Sequence, residues 1–204
     1  MVSSDVEVVA DLLPAVTEFA EATGMTEPVR ELATWAADLI RSRRLPHQAK
    51  LMMRAAEKIR ASGMPVHAVS DKMLRAILEN GPLEDDESMQ ERWANLLANA
   101  LTGEAGGIPP SFPTILAELE PAEAQKIDDL VTRCGTAPFT LGPTFGAEAR
   151  QWDNMFRLRL IEKLPPESLF GGLGAAPLPP AQKVVVTRLG CEFVAACRDP
   201  AGDP

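Results

Sequence analysis

The sequence predicts a mainly α-helical fold: an N-terminal helical bundle followed by a small winged-helix-like C-terminal module with a short β element. Two observations lead there. Over the first two thirds, apolar residues recur at helical spacing, and Gly, Pro or Asn signals bound the runs. After residue 110 the order becomes helix, extended piece, helix, long loop, strand and helix, which is the order of a winged-helix-like module.

Each element has its own justification. Val6, Val9, Leu13, Val16 and Ala20 form one apolar stripe, which Gly24 ends. A second helix begins near Thr26, has Pro28 in its first turn, and carries Val29, Leu32, Trp35 (or Ala36) and Leu39 toward a core. Pro46 opens a third helix with Met52, Ala56 and Ile59 apolar, and "SGMP" closes it. Residues 70–79 make a short fourth helix, stopped by "NGP" at Asn80 to Pro82. "LEDDESMQERWANLLANAL", Leu83 to Leu101, supplies the fifth, and "TGEAGGIPP" from Thr102 is a loop. "SFPTILAELEPAEAQKIDDLVTRCG" reads as a short helix and then a longer one. "TAPFTLGP" is short and extended, "EARQWDNMFRLRLIEKL" reads as a single helix, and residues 165–181 are a Pro/Gly-rich loop. "KVVVT" has β-branched character, and Thr187 caps a last helix that buries Leu189, Phe193 and Ala196. The expected division is a helical bundle over 1–102, a linker over 103–110, the winged-helix-like module over 111–198 and a disordered tail over 199–204.

Bulk properties narrow the function classes. With 204 residues, 46% hydrophobic and 24% charged, the chain has the composition of a globular protein with a sizeable core. A net charge of -9 argues against a protein that coats nucleic acid. The charge is uneven, since residues 41–60 hold seven basic residues against Glu57 alone. Three cysteines, Cys134, Cys191 and Cys197, fit neither a disulfide framework nor a zinc pattern, so no metal and no cofactor is expected. The N-terminus has no basic n-region, and no run approaches the roughly 18 apolar residues of a membrane span. The expected location is the cytoplasm.

Four stretches together carry a resemblance: "LIRSRRLPHQAKLMMRAAEKI", "LEDDESMQERWANLLANAL", "ELEPAEAQKIDDLV" and "NMFRLRLIEKL…VVVTRLGCEFVAAC". Residues 28 to 197 resemble the Abi-alpha family, named for abortive infection. The most specific motif is the acidic start followed by Q-x-x-W-A-N-L-L-A-N-A. The resemblance implies a mostly helical bacterial protein linked to anti-phage defence, and it brings no catalytic residues with it. The acidic first 25 residues and the loop after Leu164 depart from the family pattern.

The motif poses a choice between chemistry and architecture. Glu84, Asp85, Asp86 and Glu87 are adjacent, so their side chains point about 100° apart and diverge rather than converge on a metal. Their expected work is capping, by Asp85 or Asp86, and favourable charge at the positive end of the helix. Met89, Trp93, Leu97 and Ala100 (or Leu101) form the core stripe, with Ala94 and Ala98 beside it. Arg92, Asn95 and Asn99 form a polar line. Two asparagines inside a helix are costly, so they either bond an adjoining segment and fix its register or face a partner protein.

A basic stripe, His47, Lys50, Arg54 and Lys58, falls at i, i+3, i+7 and i+11. It suits a phosphate of nucleic acid or a nucleotide, the acids at 84–87, or an acidic partner. Arg41 and His47 are spaced R-x5-H, like the signature of HEPN-type ribonucleases, although Pro46 between them opposes a shared helical face. From Gly142 to Arg198 seven basic residues meet five acids, too small an excess for groove entry by a DNA-binding module. The cysteines lack a neighbouring histidine, so nucleophile chemistry is not expected. The expected function is an abortive-infection defence component that binds a protein, either a second copy or a phage or host component, as sensor, regulator or effector. The alternatives are a metal-independent HEPN-like ribonuclease using Arg41 and His47, and a winged-helix DNA-binding regulator.

Overall fold

A computed structural model describes residues 45–103, 107–165 and 182–202. The two helices expected before residue 44, Arg41, and most of the Pro/Gly loop lie outside the described residues. The fold is mainly helical, as expected, with seven α-helices and one three-stranded antiparallel sheet among the described residues. The chain divides into two compact units. One holds the residues up to Glu118 together with the segment from Ala196, and the other holds Leu119–Ala195.

In the first unit, α1 (Leu45–Ser62), α2 (Asp71–Asn80), a 3-10 turn (Gly81–Leu83), α3 (Glu87–Thr102) and α4 (Phe112–Ala117) build a helical core. α1 buries Leu51, Met52, Ala55, Ala56 and Ile59 and packs along α3. Fully buried alanines on both helices, Ala55 and Ala56 on one and Ala94 and Ala98 on the other, let the backbones approach closely. Ser70 caps α2 by accepting from the Met73 N–H, and Met73, Leu74, Ile77 and Leu78 form its buried face. The amide of buried Gln48 donates to the Leu78 carbonyl at 2.9 Å, tying α1 to the end of α2. Space at Gly81 is tight: a Cβ there would stand 2.9 Å from the end of the Leu51 side chain and 3.3 Å from the Trp93 ring, so both would have to shift.

The second unit contains α5 (Pro121–Cys134), β1 (Phe139–Leu141), α6 (Gly146–Arg157), β2 (Ile161–Lys163), β3 (Gln182–Val186) and most of α7 (Arg188–Ala196). The sheet order is β1-β3-β2, with Phe139 opposite Val184 and Ile161 opposite Val186. The buried Glu123 carboxylate accepts from the Glu120 N–H at 2.9 Å, fixing the start of α5, and from the Asn154 amide at 2.7 Å, joining α5 to α6.

One expected element is corrected. The single helix read over 148–164 stops at Arg157, and residues 161–163 are a strand. The stop is a Schellman motif, with Arg159 N–H bonding Phe156 O and Leu160 N–H bonding Met155 O. Arg159 takes the left-handed conformation (φ 59°) that glycine usually fills. Pairing with β3 buries Leu160 and Ile161, a non-local gain that helical periodicity cannot signal. Two further contacts secure the corner. The Thr187 hydroxyl bonds the Arg159 carbonyl at 2.7 Å, and a Cβ on Gly190 would overlap the Leu160 carbonyl oxygen.

Candidate functional site

The candidate site is the motif helix α3 and the groups gathered around it in the first unit. Asp86 is its N-cap: the carboxylate accepts from the Met89 N–H at 3.0 Å and from the Ser88 hydroxyl at 2.5 Å. Those two bonds, the Ser88 one foremost, hold the Asp86 carboxyl below the usual aspartate value. Glu84 also faces the backbone, accepting from the Asp86 N–H at 3.0 Å, while Asp85 is exposed. Among the described residues no group of three or more His, Cys, Asp or Glu side chains is arranged to hold a metal ion.

α3 is buried around most of its circumference. Met89, Trp93, Ala94, Leu96, Leu97, Ala98 and Leu101 are each at most 1% exposed. Asn95 is buried too, at 7%. Its Nδ2 donates to the Cys197 carbonyl at 2.9 Å. One turn on, Asn99 Nδ2 donates to the carbonyls of Ala196 (2.9 Å) and Arg198 (2.7 Å). These carbonyls stand at and just after the end of α7, where no further helical N–H exists to donate to them. The two motif asparagines therefore act as the cap for a helix end about a hundred residues away in sequence. Arg92 is half-buried beside them.

The basic stripe separates into two halves. Arg54 bonds Glu87 at 2.8 Å and reaches Glu91 at 3.7 Å. Lys58 pairs with Glu91 at 2.5 Å and with Asp199 at 2.7 Å. Burial works against the Lys58 ammonium, but the bonds to Asp199 and Glu91 outweigh it and raise its pKa. The same Lys58 bond, opposed by burial and helped by the Ala201 N–H, lowers that of Asp199. Lys50 is exposed, and His47 is half-buried with its Nδ1 lacking a hydrogen-bond partner. Arg41, and with it the R-x5-H pair, lies outside the described residues. His67 is exposed, and its backbone N–H donates to the Leu101 carbonyl at 2.7 Å. Cys134 and Cys191 are half-buried and Cys197 is buried, all as free thiols.

Glu91 and Asp199 were not singled out from the sequence. Glu91 had a legible signal, because Glu87 and Glu91 repeat at i, i+4 and match Arg54 and Lys58 at the same spacing. Asp199 had none, since its meeting with Lys58 depends on where the chain returns.

The chain matches the family model for abortive infection alpha over residues 47–171, more than half its length. It belongs to the Abi-alpha family. No curated protein and no solved structure matches it. The matched Abi-alpha span contains the whole of α3 and the paired cations, whereas the carbonyls that Asn95 and Asn99 hold lie beyond it. Among the described residues no helix is long and apolar enough to cross a membrane.

Proposed function

We propose that this Abi-alpha protein is an abortive-infection defence component of the cytoplasm that works by binding a protein rather than by catalysis. The observation that carries the reading is the family match over residues 47–171. The binding part is supported by how the motif's polar groups are used. Asp86 caps, Asn95 and Asn99 hold backbone carbonyls, and Arg54 and Lys58 are engaged by Glu87, Glu91 and Asp199. Side chains committed in this way build a rigid platform and leave few groups to abstract a proton or stabilise a developing charge. The winged-helix-like order of the second unit fits a protein contact better than a DNA groove. Its α6 to β2 surface sets exposed Arg150, Arg157, Arg159 and Lys163 against exposed Glu148, Asp153 and Glu162.

The test is phage challenge of cells expressing the wild-type chain, Arg41→Ala or His47→Ala, each checked for folding by circular dichroism. The expected result is protection by all three, with no RNA cleavage by the purified wild-type protein. Protection lost in both folded variants, together with RNA cleavage by the wild type alone, would replace this reading with the ribonuclease one.

A further inference from the structure

Five positions among the described residues have positive φ, and four of them are glycines: Gly63, Gly135, Gly146 and Gly202. The fifth is Arg159, at 59° in the turn that ends α6. An L side chain there costs free energy that glycine avoids. The guanidinium does not offset that cost from within. Arg159 is exposed, and its hydrogen bonds among the described residues are made by its backbone N–H and carbonyl. Nor is it needed to neutralise the helix end, because Arg157 already stands in the last turn of α6. An arginine kept at a strained position, with no internal contact for its side chain, points to a contact outside the chain.

Two neighbouring cations are held in place near it. Arg157 is exposed, and its Nε and Nη2 both donate to the Asn154 Oδ1, at 3.1 and 2.6 Å. Asn154 in turn donates to the buried Glu123 carboxylate at 2.7 Å. Lys163 is exposed on β2, and its ammonium sits 4.8 Å from the centre of the ring of Phe156, the residue before Arg157. The corner between α6 and β2 therefore carries Arg157, Arg159 and Lys163, two of them ordered before any ligand arrives. Side chains ordered beforehand lose less freedom on binding.

We propose that this corner docks an acidic segment of a partner protein, with Arg159 taking a carboxylate in the fork of its guanidinium N–H groups. The proposal rests on the protein-binding reading above and names the surface and the partner's chemistry. A carboxylate-bearing segment is favoured over a nucleic acid because the cations do not form an unbroken basic track. Asp153 stands exposed one turn before Arg157, and exposed Glu162 falls between Arg159 and Lys163 in the sequence. A phosphate backbone carries charge at every nucleotide and meets these acids as well as the arginines. A protein segment places its acids against the arginines and leaves Asp153 and Glu162 unopposed by like charge.

The experiment titrates the full-length protein into a fluorescent peptide of alternating glutamate and glycine at low salt, and reads anisotropy. The wild type is expected to bind, and Arg159→Gly to bind about tenfold more weakly. Arg159→Lys, which keeps the charge but not the fork, is expected to fall between them. Glycine relieves the left-handed backbone, so a thermal midpoint at or above that of the wild type shows that the lost binding is not a lost fold. Arg75→Ala removes the same charge from an exposed helix position in the other unit and is expected to bind as the wild type does. No binding by the wild type, or equal weakening in Arg159→Gly and Arg75→Ala, overturns the proposal. Duplex DNA that binds the wild type more tightly than the peptide does, and that Arg159→Gly weakens, overturns the choice of a protein partner. The assay reads purified protein and peptide, whereas the defence reading stands or fails on phage challenge, so the two failures are distinguishable.

Discussion

The two units hold their elements in place by different means. The first is organised by side chains around a single helix: α3 is buried on nearly every face, and two of its polar side chains, Asn95 and Asn99, are amides that cap a distant helix end. In the second, side chains also join α5 to α6 through Glu123, but the corner at Leu160 is organised by backbone: a glycine against a carbonyl at Gly190, a left-handed residue at Arg159, and short strands paired on both sides of β3. A side-chain-organised core answers to truncation, because atoms removed from it leave a void. A backbone-organised corner answers to added atoms, because it has no room for them. The comparison is therefore open to substitutions of opposite kind.

The largest effects are expected where each unit is least forgiving. Trp93→Ala empties the centre of α3 and should cost about 3–5 kcal/mol of unfolding free energy in denaturant titration. In the second unit it is addition that should hurt. Gly190→Ala drives a methyl into the Leu160 carbonyl and should cost about 1–3 kcal/mol or more. A Trp93→Ala protein as stable as wild type would remove α3 from the centre of the account.

An intermediate effect is expected from pH. The Asp199 carboxyl is held below its ordinary value of 3.8, so its contribution is present at neutral pH and is lost as pH falls below 3.8 and through the lower folded value. Lys58 is raised above 10.5, so its contribution is present below that value and is lost as pH rises through the raised one. Between these limits the Lys58–Asp199 pair should not respond to pH. Comparing thermal midpoints of wild type and Asp199→Asn across the acid limb should show the wild-type advantage shrinking there. A gap that stays constant to the lowest pH would contradict the pairing.

The smallest effect concerns Arg159. Replacing it by glycine relieves the left-handed strain while loosening the unfolded chain, and the net gain should be roughly 0.5 kcal/mol. A loss of stability instead would mean that the Arg159 side chain supports the corner.

How much of this was legible in the sequence depended on whether the cause was local. The faces of α1, α2 and α3 were readable because apolar periodicity is a local record of burial, and Asp86 as cap followed from its place before an apolar run. β2 was not readable. Three residues, Ile161 to Lys163, continue a helical pattern, and only pairing with β3 some twenty residues later makes them a strand. Asn95 and Asn99 stood out as costly inside a helix, yet nothing in the motif named the carbonyls they hold. Those belong to residues 196–198, whose position follows from the whole intervening chain.

The central claim is that the motif asparagines hold the segment from Ala196 in place. Cys197 reports on it directly, because its side chain is 3% exposed with that segment seated and is expected to open to solvent when the segment leaves. In a Cys134→Ser, Cys191→Ser background, reaction of Cys197 with a thiol reagent should be slow in the parent. It should speed up about tenfold in Asn99→Ala, for which two hydrogen bonds of about 0.5–1.5 kcal/mol each are removed. Equal labelling rates in parent and variant, with both proteins folded, would contradict the account.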